Sequence, residues 1–429
     1  MSTRSSFPSL NNALNNVYIS PQEALQSVLH HAFHLGTESI NIRQAIGRVS
    51  GCLITSPMDI PRFANSAMDG YALRSNDVFH ACMTSPIPLV IEQQEVWAGV
   101  VFKGEVEQGR CVKIMTGGEI PDGLDCVVPW EDVDVIKDRI YFSAPVPSGK
   151  NVRYPGEDIR AGDAVLEQGD VIDEYDIGLL SSLGMDEVEV SVLPRVSVII
   201  TGSEVVGAGK KLEVGKIWDS NGSMLYALLS NMGLSKVKLS YVSDDYDETL
   251  SEISGSLSSS ELVITTGGVS VGEKDLVKDA IAEAGCSMVF WKLRQKPGMP
   301  FGMWEKDGKV IFGLPGNPVA VALCFELYIR PFLLKLMGAK EIFRPPVLLR
   351  FKSDFENKGE RYLMLRVKLV NEPGGPFAVP LSNQGSGVLT SMSRADAVVV
   401  VNPGEKIASG EERRGYLMGE IKRSACFEF

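Results

Sequence analysis

Histidine is scarce in this chain. There are four in 429 residues, and three of them crowd together as His30, His31 and His34. Imidazole metal centres and catalytic triads need histidines that converge with other ligands, so this distribution argues against both, and the three read as filler on a helix. The seven cysteines, at 52, 82, 111, 126, 286, 324 and 426, are scattered and odd in number, with no C-x-x-C pair. That pattern gives no zinc site and fits free thiols in a reducing compartment. No stretch approaches the ~20 consecutive apolar residues that cross a bilayer. The opening Ser2-Thr3-Arg4-Ser5-Ser6 lacks the apolar core of a secretory signal. The expectation is a cytoplasmic protein with residues 1–17 as a disordered lead-in. A cationic surplus is missing as well: 42 Lys and Arg against 54 Asp and Glu leave a net charge of −12. This speaks against a nucleic-acid or membrane surface, although a few cations can still dominate one cleft and attract a small anion.

What is present is the composition of a globular protein, 44% apolar and 22% charged, at a length that suggests roughly three domains. Residues 20–35 have helical spacing, with Ser20 placed to cap, Pro21 at the first position and Glu23 in the first turn. From about 44 to 157, short apolar runs (Val90-Ile91, Val100–Phe102, Cys111–Met115, Cys126–Pro129, Ile140–Phe142) alternate with Gly, Pro and Asp, which predicts a mostly β module. A helix is expected at 173–183, ended by Gly184. From Arg195 the pattern becomes strand, loop, helix: strands at 196–201, 236–242, 262–266 and 310–314, helices at 220–232, 246–258, 275–284 and 318–337. Such alternation implies a parallel sheet with right-handed crossovers and a ligand site beyond the carboxyl ends of its strands. After Pro345-Pro346 the chain again reads as a small β domain.

The polar motifs fall after those strands. Leu262–Thr266 leads into Gly267-Gly268, Ser270, Gly272 and Asp275, a strand, glycine turn and helix start of the kind that places backbone N–H groups around an anion. Gly202-Ser203-Glu204, Ser243-Asp244-Asp245 and Pro315-Gly316-Asn317-Pro318 follow the other strands. Glu204, Asp244, Asp245 and Asp275 around one phosphate-shaped turn suggest a hard cation, Mg²⁺; equally, Asp244, Asp245 and Asp275 have the form of helix N-caps. Lys292, Arg294 and Lys296 alternate along an extended run, and period two puts them on one face, as an anion site or as a solvated edge strand. Asn65–Ala72, around Asp69, is either a close-approach turn for a ligand or an ordinary turn, as are Met115–Gly118 and Gly156–Asp158.

Together these segments resemble the molybdopterin molybdenumtransferase, or MoeA, family, which includes the E domain of gephyrin. The matching pieces run in order: Asn65–Ala72 (NSAMDGYA), Ile114–Gly117 (IMTG), Arg153–Ile159 (RYPGEDI), Thr201–Glu204 (TGSE), Asp219-Ser220-Asn221, Thr266–Asp275 (TGGVSVGEKD), Trp291–Gly298 (WKLRQKPG) and Gly313–Val319 (GLPGNPV), with weaker matches at Gln384-Gly385-Ser386 and 391–397. The resemblance implies a multidomain α/β plus β protein. Residues 18–43 with 158–190 would form a discontinuous domain and 44–157 an inserted β module. Residues 191–340 would be an α/β domain like the molybdopterin adenylyltransferase fold, and 341–429 a β-barrel-like domain. It further implies a homodimer with a cleft shared between subunits, and Mg²⁺-dependent insertion of molybdate into adenylylated molybdopterin with loss of AMP. By position it implies catalytic roles for Asp69, Thr116, Glu204 and Asp275, and metal contacts from Glu204, Asp244, Asp245 and Asp275. Substrate contacts would come from Asp158, Gly267, Gly268, Ser270, Lys292, Arg294, Lys296, Pro315 and Pro318. Two departures stand out: Met299 where the family usually has Lys after Lys-Pro-Gly, and Ala397 where many relatives have Gly. The alternatives are the adenylyltransferase step, which the 190 residues ahead of the α/β unit disfavour, and a non-catalytic paralogue or dimeric scaffold, which Met299 would suit.

Overall fold

A computed structural model describes residues 18–269, 276–372 and 375–419. The expected lead-in 1–17, and the site candidates Ser270 and Asp275, lie outside the described residues. Two compact units result: Leu53–Glu167 with Glu174–Asp186, and Met1–Cys52 with Gln168–Asp173 and Glu187–Phe429.

In the second of these, helix α1 (Pro21–His30) starts as the sequence suggests. Ser20 Oγ accepts from Glu23 N at 3.2 Å, and the Glu23 carboxylate accepts from Ser20 N at 2.7 Å, so two N–H groups that no helix turn satisfies are capped reciprocally. Strand Thr37–Asn41 pairs antiparallel with Glu187–Ser191. The α/β part is a six-stranded sheet of β1 (Val196–Thr201), β2 (Val237–Val242), β3 (Leu262–Thr266), β4 (Ser287–Trp291), β5 (Gly302–Lys306) and β6 (Lys309–Leu314), in the order β2-β1-β3-β6-β5-β4. The pairs β2–β1, β1–β3 and β3–β6 are parallel, and β5 runs antiparallel to both β6 and β4. All six residues of β1 and all five of β3 are buried, as strands covered on both faces require. Helices α2 (Asn221–Ser230), α3 (Tyr246–Ser259) and α4 (Leu276–Glu283) connect and cover them.

The single long helix expected over 318–337 is instead α-helical at Pro318–Cys324, π-helical at Phe325–Ile329 and α-helical again at Arg330–Leu336. Pro331 has no N–H to return to the preceding turn, and the chain widens just before it. Gly338, at φ +75°, ends the run. In the C-terminal part, strands Tyr362–Glu372, Gly375–Pro380, Pro346–Phe351, Glu412–Leu417 and Ala397–Val401 close on themselves through the pairing of the first and last, giving a five-stranded barrel. The barrel-like expectation holds, and the two-residue strand Gln295–Lys296 joins its edge in parallel with Tyr362–Leu363.

The other unit is built on a six-stranded sheet in the order Cys126–Pro129, Gly70–Leu73, Arg110–Ile114, Ile87–Ile91, Arg139–Phe142, Asp134–Ile136. Of the apolar runs in the sequence, Val100–Phe102 is not a strand; it is a loop between Gly99 (φ +85°) and Gly104 (φ +98°), with Val100 and Val101 exposed. The helix Glu174–Ser182 packs in this unit and stops at Gly184, φ +76°.

Candidate functional site

The strand order turns at β1: its connection to β2 leads to one side, and β3 lies on the other. Ligands in such sheets bind where neighbouring strands diverge in this way. A cavity of about 220 Å³ opens there, lined by the ends of β1 and β3 and by Glu204, Trp218, Asp219, Asn221, Asp244, Gly267, Gly268, Gly316 and Pro318. The loops after β1, β2, β3 and β6 therefore meet, as the parallel sheet predicts.

The glycine turn cannot be built from other residues. Gly267 (φ +90°) has room for no side chain, since a Cβ would lie 2.7 Å from Thr201 Oγ1. At Gly268 (φ +65°) a Cβ would lie 2.3 Å from Val277 Cγ2. Thr201 Oγ1 also donates to Thr266 O at 3.0 Å, tying the two strand ends together below the turn. Trp291 Nε1 donates to Val269 O at 3.2 Å and fixes the turn's far side.

Of the two neighbouring aspartates, the structure separates the roles that the sequence left open. Asp245 is the N-cap of α3, accepting from Glu248 N at 2.9 Å, and it does not line the cavity. Of the two roles open to it in the sequence, the structure shows the helix cap. Asp244 does line it; its Oδ2 accepts from Ser203 N at 3.0 Å. Glu204 folds back over Gly202, whose φ of +133° and bare Cα make room for the carboxylate. Among the described residues no group of three or more His, Cys, Asp or Glu is placed to hold a metal ion. Glu204 and Asp244 nevertheless have the donor chemistry for Mg²⁺, which binds through one or two protein carboxylates and completes its shell with phosphate oxygens and water.

Asp219, one member of the Asp219-Ser220-Asn221 motif, organises this wall. It is buried; Oδ1 accepts from Gly222 N at 2.8 Å and Oδ2 from Tyr241 OH at 3.0 Å. Burial, with the Asp219 carboxylate at its hydroxyl, pushes Tyr241 up to about 12. Asn221 Nδ2 donates to Gly316 O at 2.8 Å, linking the start of α2 to the Pro315–Pro318 loop.

A second cavity, about 580 Å³, is lined by Gln295–Pro300, Pro315, Asn317, Ala320, Arg361 and Gln384–Ser386. The Pro315–Pro318 loop is thus a wall between two cavities: Pro315 and Asn317 face one, Gly316 and Pro318 the other. Here the one-face reading of Lys292, Arg294 and Lys296 fails. Lys292 sits at φ +74°, which breaks the two-residue alternation; it is 7% exposed, with Nζ 4.0 Å from the Trp291 ring centroid. Arg294 gives its Nε–H to Glu360 O at 2.8 Å. Lys296 alone of the three lines the cavity, joined by Arg361, which the sequence reading passed over.

Two further residues were missed because their partners are remote in sequence. Gln295, fully buried, donates from Nε2 to Pro297 O at 2.9 Å and accepts at Oε1 from Tyr328 OH at 2.5 Å, so the π-turn holds the Lys296–Pro300 loop in place. Arg366, 0% exposed inside a barrel strand, has Nε and Nη1 without partners, and its Nη2 lies 3.5 Å from Gly385 O. Burial lowers its pKa. A sealed guanidinium behind the Gln384–Ser386 lip adds positive potential to that cavity.

In the other unit, Asp69 Oδ1 accepts from Thr116 N at 2.7 Å and from Thr116 Oγ1 at 2.8 Å, which brings two of the candidate residues together. The backbone N–H of Thr116 first, and its hydroxyl second, hold the Asp69 carboxyl below the usual range. Asp158, exposed, donates its backbone N–H to Ile60 O at 3.0 Å.

Comparison with known proteins gives three family matches in order along the chain: MoeA N-terminal region (domain I and II) over residues 19–184, a probable molybdopterin binding domain over 197–335, and MoeA C-terminal region (domain IV) over 349–413. A molybdopterin molybdenumtransferase of Staphylococcus epidermidis is 32% identical over 403 residues, 94% of each chain. One of Staphylococcus aureus (strain Mu50) is 31% identical over 388 residues, covering 90% of this chain and 92% of that one. The crystal structure of the molybdopterin biosynthesis MoeA protein of Pyrococcus horikoshii OT3 superposes with a TM-score of 0.80 at 31% identity, covering 94% of this chain and all of that one.

Proposed function

The chain belongs to the MoeA family, and from that premise we propose that it is the molybdenumtransferase of molybdenum cofactor assembly, taking adenylylated molybdopterin and molybdate and releasing AMP. The observation that carries this reading is the single Pro315–Pro318 loop walling two unlike cavities, one with a glycine turn and carboxylates, the other with cations. A substrate with a phosphoanhydride at one place and an oxyanion acceptor at another needs such a pair. Gly267 and Gly268, which accept no side chain, let a phosphate come close to the backbone of the turn. Glu204 and Asp244 would hold Mg²⁺; the ion, when bound, neutralises phosphoryl oxygens. Lys296 and Arg361, backed by Arg366, attract molybdate into the larger cavity. Met299 lines that cavity too, so a neutral residue stands where a Lys would add a charge beside the anion.

Asp69, Thr116 and Asp158 belong in this proposal to a homodimer, in which a second copy supplies them to the cleft. Mixing Asp69→Asn protein with Lys296→Ala protein should then restore activity that neither has alone; no restoration would remove the shared cleft.

The activity itself is tested by incubating the protein with adenylylated molybdopterin and Mg²⁺ and measuring AMP with and without molybdate. Molybdate-dependent release is expected. Tight binding of the nucleotide with no release in either condition would replace the transferase with the paralogue that only holds the precursor, and Met299 would be its cause.

A further inference from the structure

The mouth of the smaller cavity has one feature that phosphate and metal chemistry do not use. The two-residue strands Val205–Val206 and Ile217–Trp218 pair in parallel beside it, joined by the segment 207–216. Trp218 lines the cavity and is 53% exposed. Its indole is not loose: Nε1 donates to Lys210 O at 2.9 Å. The next residue, Asp219, is locked by Gly222 N and Tyr241 OH, so the strand end that presents the indole is held from below. Lys216 Nζ donates to Ser203 O at 2.6 Å and pins the same segment to the loop after β1.

A large aromatic surface held half in water by a hydrogen bond contributes little to the core. At the rim of a site it offers a flat, oriented π-face. The cavity behind it, at about 220 Å³, is below the ~300 Å³ at which pockets begin to enclose a drug-sized molecule. It can take one end of an elongated nucleotide and leaves a ring outside, at the rim. We propose that Trp218 is the stacking platform for a planar heteroaromatic base, purine or pterin, at the mouth of this cavity. This rests on the reading of the cavity as the nucleotide end of the site.

The test uses the full chain with three probes: AMP, 6-hydroxymethylpterin, and ribose 5-phosphate, which has a phosphate but no ring system. Binding is measured by calorimetry for wild type, Trp218→Leu and Trp218→Phe. Trp218→Leu should weaken one of the two ring compounds about tenfold, the scale of a single base–aromatic stack. Trp218→Phe should keep that compound within about threefold. Ribose 5-phosphate should bind all three proteins alike. The ring compound that loses affinity identifies the base. Equal affinity of Trp218→Leu and wild type for both ring compounds would overturn the stacking role while leaving the nucleotide site standing. Equal losses for ribose 5-phosphate would overturn it too, by showing that the indole only shapes the loop. Failure of wild type to bind either ring compound would overturn the platform and the nucleotide reading together.

Discussion

Replacing Gly268 by alanine tests whether the glycine turn is dictated by geometry. Two costs follow from the structure. At φ +65° an alanine occupies the left-handed region, a penalty of roughly 1–2 kcal/mol. Its Cβ would also stand 2.3 Å from Val277 Cγ2 and 3.2 Å from Val277 Cβ, and Val277 is buried in the first turn of α4, so the helix must move. Overpacking of that kind costs roughly 1–3 kcal/mol. The sum, about 2–5 kcal/mol, is a large share of the 5–15 kcal/mol that typically separates folded from unfolded. Gly316→Ala is the control in the same cavity, because a Cβ there meets nothing nearer than Gly267 Cα at 4.0 Å; its cost should stay within about 0.5 kcal/mol. Urea unfolding, read by the fluorescence to which buried Trp291 and Trp304 contribute, measures both. Adding Val277→Ala to Gly268→Ala should recover about 1–3 kcal/mol relative to the sum of the single changes, since it removes the clashing methyl group. A Gly268→Ala protein as stable as Gly316→Ala, or a strictly additive double variant, would refute the reasoning.

Other consequences are as concrete. Asp244→Asn should raise the Mg²⁺ concentration for half-maximal AMP release several-fold, whereas Asp245→Ala should leave it unchanged and lower stability by about 1 kcal/mol, the value of a helix cap. Met299→Lys should lower the molybdate concentration for half-maximal transfer, as judged by initial rates; no change would mean that the side chain at 299 does not meet the anion. Tyr241→Phe removes a donor from buried Asp219 and should cost about 1–3 kcal/mol at neutral pH. Because the Tyr241 pKa is raised to about 12 in the fold, wild type loses this advantage only as pH climbs from 10 towards 12, so the stability gap between the two proteins should narrow over that window and be constant below it.

The parts of this fold that could be read in advance are those where neighbours in sequence settle the structure. Val196–Thr201 and Leu262–Thr266 are β-branched runs that only a doubly covered strand accommodates, and Ser20 with Glu23 announces a helix start. The glycine turn and the loops around it followed from the parallel order of those strands. What could not be read depends on a single dihedral or a distant partner. Period two along Lys292–Lys296 is sound only while the backbone stays extended, and φ +74° at Lys292 ends that. Gly302–Lys306 escaped notice because it is a short hairpin partner of β6 whose glycine lies under the Trp304 ring. The Tyr328–Gln295–Pro297 chain crosses more than thirty positions, and its one local clue was Pro331, which forces the π-turn that carries Tyr328. Arg366 sits in an ordinary-looking strand sequence, and only closure of the barrel seals it.

The most direct test of two cavities divided by Pro315–Pro318 is a crystal grown with AMP and tungstate, a heavy stand-in for molybdate. Anomalous scattering from tungsten should lie beside Lys296 and Arg361, with the AMP phosphate against Gly267 and Gly268 on the opposite side of the loop. Tungsten among Glu204 and Asp244, or both ligands on one side of that loop, would contradict the account.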